Sequence, residues 1–461
     1  MDQHILQQLV EKFPGFDCRL DDESLQQYGT DWTQFHKVNA SAIIFPRSEF
    51  DLQWLVKFAR EHKIALVPSG GRTGLSAGAV ATQGEVVVSL ERLDQILEFN
   101  STDATLRVQA GVITATIQDY AEQQGMFYPV DFASSGSSHI GGNVATNAGG
   151  IRVIRYGMTR DQVVGLRVVT AKGEILSLNK GLIKNATGMD LRHLFIGSEG
   201  ALGFITEVTL KLINPPGPQS VLVLGLEDLS AVMPVLESFR KELTLSAFEF
   251  FSDQALNKVM AHQKIQQPFE TRTAFYALIE VDVEKQGSED ALLSCFEYAF
   301  EQGWIVDGVM SSSAAQAESL WKLREGISES ITPWTPYKYD ISVTTSKVAE
   351  FLLAVDNKVS VTYPDFENIW FGHIGDGNLH LNILKPEKMA VEKFKETCLS
   401  FSNIIYGQVA EFGGSISAEH GIGLLKKSFL HFSRSPEEIN IQKAIKKLFD
   451  PDNILNPGKI F

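Results

Sequence analysis

Residues 214–220, NPPGPQS, constrain this chain more than any other stretch, with prolines at 215, 216 and 218. Proline brings no backbone N–H to a sheet ladder and clashes inside a helix, so neither element continues through this segment. A chain of 461 residues interrupted there is expected to fold as separate units. The expected division is a first domain over 1–216, a second over 217–425 and a closing segment over 426–461 that returns to the first.

Strand and helix patterns alternate on both sides of the break. Before it, SAIIFPRS, IALVPSGG, GEVVVSL and TLRVQAGV read as strands ending in turn residues. EFDLQWLVKFAREHK has apolar residues at helical spacing, and TATIQDYAEQQG reads as a helix closed by Gly125. RDQVVGLRVVTAKGEILSL reads as two strands around an AKGE turn, and ALGFITEVTLKL as another strand. Beyond the break, strands (SVLVLGL, TAFYALIEVDV) alternate with helices (LSAVMPVLESFRKEL, SEDALLSCFEYAFEQG), and SPEEINIQKAIKKLF is an amphipathic helix.

Charge and cysteine content narrow the partners. The formal net charge of -15 repels nucleic acid and anionic membrane surfaces, so neither is expected. The same field repels an anionic substrate, which would need cations of its own in the pocket. Cys18, Cys295 and Cys398 are far apart, with no CxxC, and fit a reducing compartment. The N-terminal MDQHILQQLVEKFPG has helical spacing without a basic start and apolar core, so no secretory signal is expected. No apolar run approaches a membrane span. A cytoplasmic location is the expectation.

Three glycine-rich segments come next: PSGGRTGLSAGAV (68–80), SSGSSHIGGNVATNAGG (134–150) and GSEGALGFITE (197–207). Glycine admits close approach of backbone N–H groups to a phosphate, and Ser69, Thr73, Ser137, Thr146, Asn143 and Asn147 add side-chain donors. One such segment is usually an ordinary turn. Three, the first directly after a strand, point to a phosphate-bearing cofactor. Neither a Rossmann fingerprint nor a Walker A pattern is present.

PSGGRTGLSAG, GGNVATNAGG, RYGMTRD, NATGMDLRHLFIGSEGALGFITE and DPDNILNPGKIF together resemble the FAD-binding oxidoreductases of the vanillyl-alcohol oxidase / p-cresol methylhydroxylase (PCMH) superfamily. Within it the chain is similar to the D-2-hydroxy acid dehydrogenases. That resemblance implies an α+β fold: a PCMH-type FAD-binding domain followed by a substrate domain of the FAD-linked-oxidase C-terminal type, an antiparallel sheet with helices. It implies that Pro68, Ser69, Gly70, Gly71, Arg72, Thr73, Gly74 and Leu75 wrap the pyrophosphate. Pro129, Asp131, Gly136, Ser137, Gly141, Gly142, Asn143, Thr146, Asn147, Gly149 and Gly150 would line the flavin. Glu199, Gly203 and Ile205 would meet the adenosine side, and Asn456 would return to the flavin from the tail. The first loop has no His or Cys for a covalent link, so the FAD is expected to be non-covalent.

FGHIGDGNLHLNI (371–383) and SAEHGIGLLKK (417–427) carry His373, His380, Glu419 and His420. Two imidazoles and a carboxylate suit a borderline divalent ion, Zn²⁺ or Mn²⁺. HLNI alternates as a strand after a GDGN turn, so the histidines could meet across a hairpin and not along a helix. In regular β structure Glu419 and His420 would face opposite ways, but Gly421 suggests a turn. The family resemblance implies His373, His380 and Glu419 as metal ligands and His420 as catalytic base, with Asn382 hydrogen-bonding the substrate carboxylate. Arg324 and Ser328 in WKLREGISES lie at one-turn spacing, and Lys338 stands in PYKYDISV. Their blander reading is surface ion pairing. These motifs resemble those of the D-2-hydroxyglutarate dehydrogenases, which implies that Arg324, Ser328 and Lys338 hold a distal carboxylate. Ser328 stands where threonine is usual.

The implied reaction is oxidation of D-2-hydroxyglutarate to 2-oxoglutarate. D-lactate, D-malate or glycolate dehydrogenase or oxidase is an alternative, as is a non-catalytic flavin-binding electron-transfer subunit. An electron-transfer flavoprotein, a quinone or a cytochrome would accept the electrons, and a homodimer is left open.

Overall fold

A computed structural model describes residues 3–12, 17–33 and 35–461. Residues 1–2 and 13–15 of the N-terminal pattern lie outside these; between them runs the helix Gln3–Lys12. The chain divides into two compact units. The first comprises residues 1–149, 157–215 and 419–461, and the second residues 150–156 and 216–418. The proline break is thus the main boundary. The return to the first unit comes at Glu419, before the expected 426, and the short piece 150–156 joins the second unit. Helical periodicity sees neither event, because both depend on which sheet a short segment packs against.

Two sheets build the first unit. In the four-stranded one, Val86–Ser89 lies between Ala42–Phe45 and Leu66–Ser69 in parallel, and Asp17–Arg19 adds an antiparallel edge. Val86–Ser89 and Ala42–Phe45 are buried at every position, which is why GEVVVSL and SAIIF read as continuous apolar runs. Helix Glu49–Glu61 covers this sheet through Leu52, Leu55, Val56, Phe58 and Ala59, spaced at three and four residues. Ser48 caps it by accepting from the Asp51 backbone N–H at 3.1 Å. The second sheet is antiparallel, in the order Ile96–Asn100, Thr105–Gln109, Gly203–Lys211, Val163–Thr170, Ile175–Leu178. Helix Thr114–Gln123 ends at Gln124 with Gly125 at φ 71°, the left-handed position its closing glycine was expected to fill.

One glycine-rich segment departs from expectation. Ile140–Thr146, inside the segment 134–150, is a helix and not a turn. It tolerates Gly141 because the helix presses on the neighbouring strand's end: a Cβ there would lie 2.6 Å from the Ala110 methyl. Asn147 closes it in the left-handed conformation.

The second unit is one seven-stranded antiparallel sheet, in the order Asp307–Met310, Gln219–Leu226, Phe275–Asp282, Thr244–Ser252, Glu367–Gly372, Asn378–Leu384, Tyr337–Ser342. One face packs a core of Val221, Val223, Phe251, Leu278, Ile369 and Phe371 against Leu256 and Val259 of helix Asp253–Gln263 and Leu320, Trp321 and Leu323 of helix Ala314–Glu325. Among the described residues no helix is long and apolar enough to cross a membrane.

Candidate active site

In the first unit, the glycine segments line a cavity of about 150 Å³ that opens to solvent. Pro68, Ser69, Gly70, Gly71, Arg72, Thr73 and Gly74 line it from the first segment, and Gly141, Gly142, Asn143 and Thr146 from the helix. Glu199, Gly203 and Ile205 complete the wall from the third. The packing explains the glycines. A Cβ on Gly71 would collide with the Ser137 carbonyl oxygen, whereas Gly142 meets nothing within 4 Å and keeps its side of the cavity clear.

The remaining expected cofactor residues are placed differently. Leu75 is absent from the wall, Pro129 lies in the irregular stretch before the turn 133–137, and Gly136 and Ser137 belong to that turn, which leads into the Ile140 helix. Asp131 accepts from the Ser135 hydroxyl at 3.1 Å, and the Asn147 side chain accepts the Arg160 backbone N–H at 2.9 Å. Gly149 packs on Glu419, whose Oε1 would lie 2.6 Å from an added Cβ, and Gly150 begins the short segment of the second unit. Asn456 braces the cavity from behind: its Nδ2 donates to the carbonyls of Gly78 at 2.9 Å and Glu199 at 2.7 Å. The Glu199 carboxylate accepts from the Ile422 and Gly423 backbone N–H groups at 2.7 and 2.8 Å, while burial raises its pKa.

Sequence reasoning overlooked Asp31 and His139, which also line the cavity. Burial and the neighbouring Arg72 push the His139 pKa down to about 4, so its ring is neutral. Its Nδ1 and the Ser69 hydroxyl are buried without partners among the described residues. Such unspent groups beside a glycine-lined wall are what a polar phosphate- and ribityl-bearing cofactor would engage, so the residues fit FAD.

In the second unit, Glu367–Gly372 and Asn378–Leu384 form the expected hairpin. His373 starts its turn and His380 stands opposite Phe371, with the imidazole rings 5.5 Å apart at 83°. Ligand atoms of His373 and His380 lie within 4.8 Å of each other, as do those of His380 and Asp340. This pair, His373 buried and His380 half-buried, with the buried Asp340 carboxylate beside it, has the donor chemistry for a divalent ion. Each imidazole faces a buried carboxylate: His373 Nδ1 lies 2.8 Å from Glu249 Oε1, and His380 Nδ1 3.8 Å from Asp340 Oδ1. Neither acid was singled out from sequence; cross-strand pairing of Asp340 with His380 was the missing signal.

The substrate-binding candidates surround this pair. Asn382 pairs across the ladder with Lys338 and shares the His380 face; it is 1% exposed and its Nδ2 has no partner among the described residues. Lys338 has an exposed side chain at that edge, yet desolvation of its ammonium by the surrounding protein lowers its pKa. Arg324 is buried and pairs with Glu249 at 2.9 Å, not with the adjacent Glu325, and its guanidinium lies 4.7 Å over the Phe371 ring. Its Nε has no hydrogen-bond partner among the described residues. Ser328 falls in a separate short helix, Ile327–Ser330, after a break at Gly326, and is exposed. Glu419 and His420 follow directly on Ala418, the last residue of the second unit, and are half-buried in irregular backbone. Gly421 sits at φ 79°, so the segment is a turn and not a strand.

Comparison with known proteins covers both halves. Residues 40–179 match the FAD binding domain and residues 215–460 the FAD linked oxidases, C-terminal domain. The D-2-hydroxyglutarate dehydrogenase of Stutzerimonas stutzeri (strain A1501) is 56% identical over 96% of this chain and 95% of that protein. That of Xanthomonas citri pv. viticola is 50% identical over 98% and 96%. A solved structure of p-cresol methylhydroxylase with substrate bound superposes with a TM-score of 0.77, covering 100% of this chain and 97% of that one; at 17% identity the likeness concerns the fold.

Proposed function

The chain belongs to the FAD-linked oxidases, and from that membership we propose that it oxidises D-2-hydroxyglutarate to 2-oxoglutarate with non-covalent FAD and a divalent metal. The observation that carries this reading is the histidine pair sharing its sheet face with the unspent Asn382 amide, beside a buried arginine.

His373 and His380 would hold the metal, with Glu419 as third ligand. When bound, FAD supplies a hydride acceptor at N5 and the ion supplies Lewis-acid polarisation of the substrate hydroxyl. His420 takes the hydroxyl proton, a task suited to an imidazole, which ordinarily titrates near ~6.5. Asn382 donates its free amide hydrogens to the substrate 1-carboxylate. Arg324 offers its unpartnered Nε to the distal carboxylate, and Lys338 and Ser328 add donors from the solvent side. These cations supply locally the attraction that a chain of net charge -15 lacks overall. Electrons leave to an electron-transfer flavoprotein, a quinone or a cytochrome, and the cytoplasm is the proposed location.

Dye reduction with a panel of D- and L-2-hydroxy acids, with and without chelator, tests the reading. The expected result is the highest kcat/KM for D-2-hydroxyglutarate, abolished by EDTA and restored by Zn²⁺ or Mn²⁺. A preference for D-lactate or glycolate would overturn the substrate, and indifference to EDTA the metal. Acid precipitation should release the flavin into the supernatant.

A further inference from the structure

We propose that Glu249 is a positioning residue that orients the His373 imidazole and the Arg324 guanidinium together from a single carboxylate. The proposal rests on the reading above, in which His373 holds a divalent ion and Arg324 a substrate carboxylate.

Glu249 is completely buried on the strand Thr244–Ser252. A carboxylate in that position is costly unless both oxygens are engaged. Register delivers the first partner: Phe251 faces Phe371 and Phe250 faces Gly372, so the next position along brings Glu249 opposite His373. An ionised carboxylate only accepts, so in the 2.8 Å contact with Oε1 the hydrogen sits on His373 Nδ1. That fixes the tautomer and leaves the Nε2 lone pair for a metal.

The second oxygen, Oε2, forms an ion pair with Arg324 Nη2 at 2.9 Å, without hydrogen-bond geometry. Held there, the guanidinium carbon lies 4.7 Å over the Phe371 ring centroid, and its buried Nε has no hydrogen-bond partner among the described residues. Phe371 is also the cross-strand neighbour of His380, at 5.1 Å between rings. One acid therefore ties the arginine to the ring that packs on the second histidine. Asp340 contrasts with this: it stands 3.8 Å from His380, and Asn378 Nδ2 donates to its Oδ1 at 2.9 Å. A blander role, neutralising a buried arginine, predicts lost stability alone.

The FAD-bound full chain carrying Glu249→Ala or Glu249→Gln separates the two. Zn²⁺ affinity would be read by competition with a chromophoric chelator, and kcat and KM with D-2-hydroxyglutarate and D-lactate. Glu249→Ala is expected to weaken Zn²⁺ binding roughly 10–100-fold. Glu249→Gln, which still offers His373 an acceptor, should retain most of the Zn²⁺ affinity. It should raise KM for D-2-hydroxyglutarate more than for D-lactate, with kcat less affected. Unchanged Zn²⁺ affinity in a folded, flavin-loaded Glu249→Ala would overturn the proposal. If that variant does not fold, Glu249→Gln decides: an unchanged or lower KM ratio overturns it as well. A parent enzyme that binds no Zn²⁺ overturns both this proposal and the metal reading, whereas parent-like variants overturn Glu249 alone.

Discussion

The cofactor cavity of the first unit and the histidine-bearing face of the second are built by opposite means. The cavity is shaped mainly by missing side chains. Gly71 leaves room for the Ser137 carbonyl, Gly141 for Ala110, and Gly142 faces open space. The histidine face is built from side chains that are hard to bury, namely Glu249, Arg324, Asp340, His373 and Asn382, each less than a tenth exposed. The first region is damaged by an added atom, the second by a removed charge or hydrogen bond.

The largest effect is expected from adding one methyl group to the cavity. Gly71→Ala must displace the Ser137 carbonyl, which is backbone and has nowhere cheap to go. Overpacking of this kind costs about 1–3 kcal/mol, so FAD affinity should fall by roughly 5–150-fold. The ratio of flavin to protein absorbance after gel filtration checks this. A fully loaded variant would mean that the cavity is not shaped by exclusion.

On the other face, Lys338→Ala removes one exposed cation. The loss of one charge-assisted hydrogen bond predicts about a tenfold lower kcat/KM for D-2-hydroxyglutarate, with D-lactate almost unaffected. Equal effects on both acids would remove Lys338 from the substrate clamp and leave the comparison resting on buried charges alone.

A smaller effect crosses the comparison, because His139 is a titratable group inside the glycine-built cavity. Its pKa is about 4 in the folded chain against 6.5 for the unperturbed side chain. Between those values the unfolded state binds the extra proton, so this residue makes stability fall as pH drops from 6.5 towards 4 and contributes no slope above 6.5. His139→Gln should flatten the acid side of the Tm-versus-pH curve of the flavin-free protein. An unchanged slope there would place the acid sensitivity in other groups.

Much of this could be read from the chain itself. Val86–Ser89 announced a buried strand, and the Gly125 stop and the Gly421 turn followed from local rules. The His373–His380 hairpin followed from the turn GDGN and the alternation after it. Other features were misread or missed. The segment 134–150 reads only as glycine-rich backbone for a phosphate, yet Ile140–Thr146 within it is a helix, where packing against Ala110 makes the small residue an advantage. Arg324 and Ser328 read as one helical face, but the break at Gly326 leaves one buried and the other exposed.

By itself, the sequence determined that the chain is split by prolines, has glycine segments fit for a phosphate-bearing cofactor, and carries its histidines on a hairpin. These are properties of neighbours within a few residues, where spacing alone dictates which atoms meet. Only the tertiary structure decided that Glu249, 124 residues before His373, is its hydrogen-bond partner and also the counter-charge of Arg324. That pairing depends on strand register, and a shift of one residue would turn Glu249 to the other side of the sheet. Local patterns carry no information about such a register between distant strands; burial of the whole sheet face sets it.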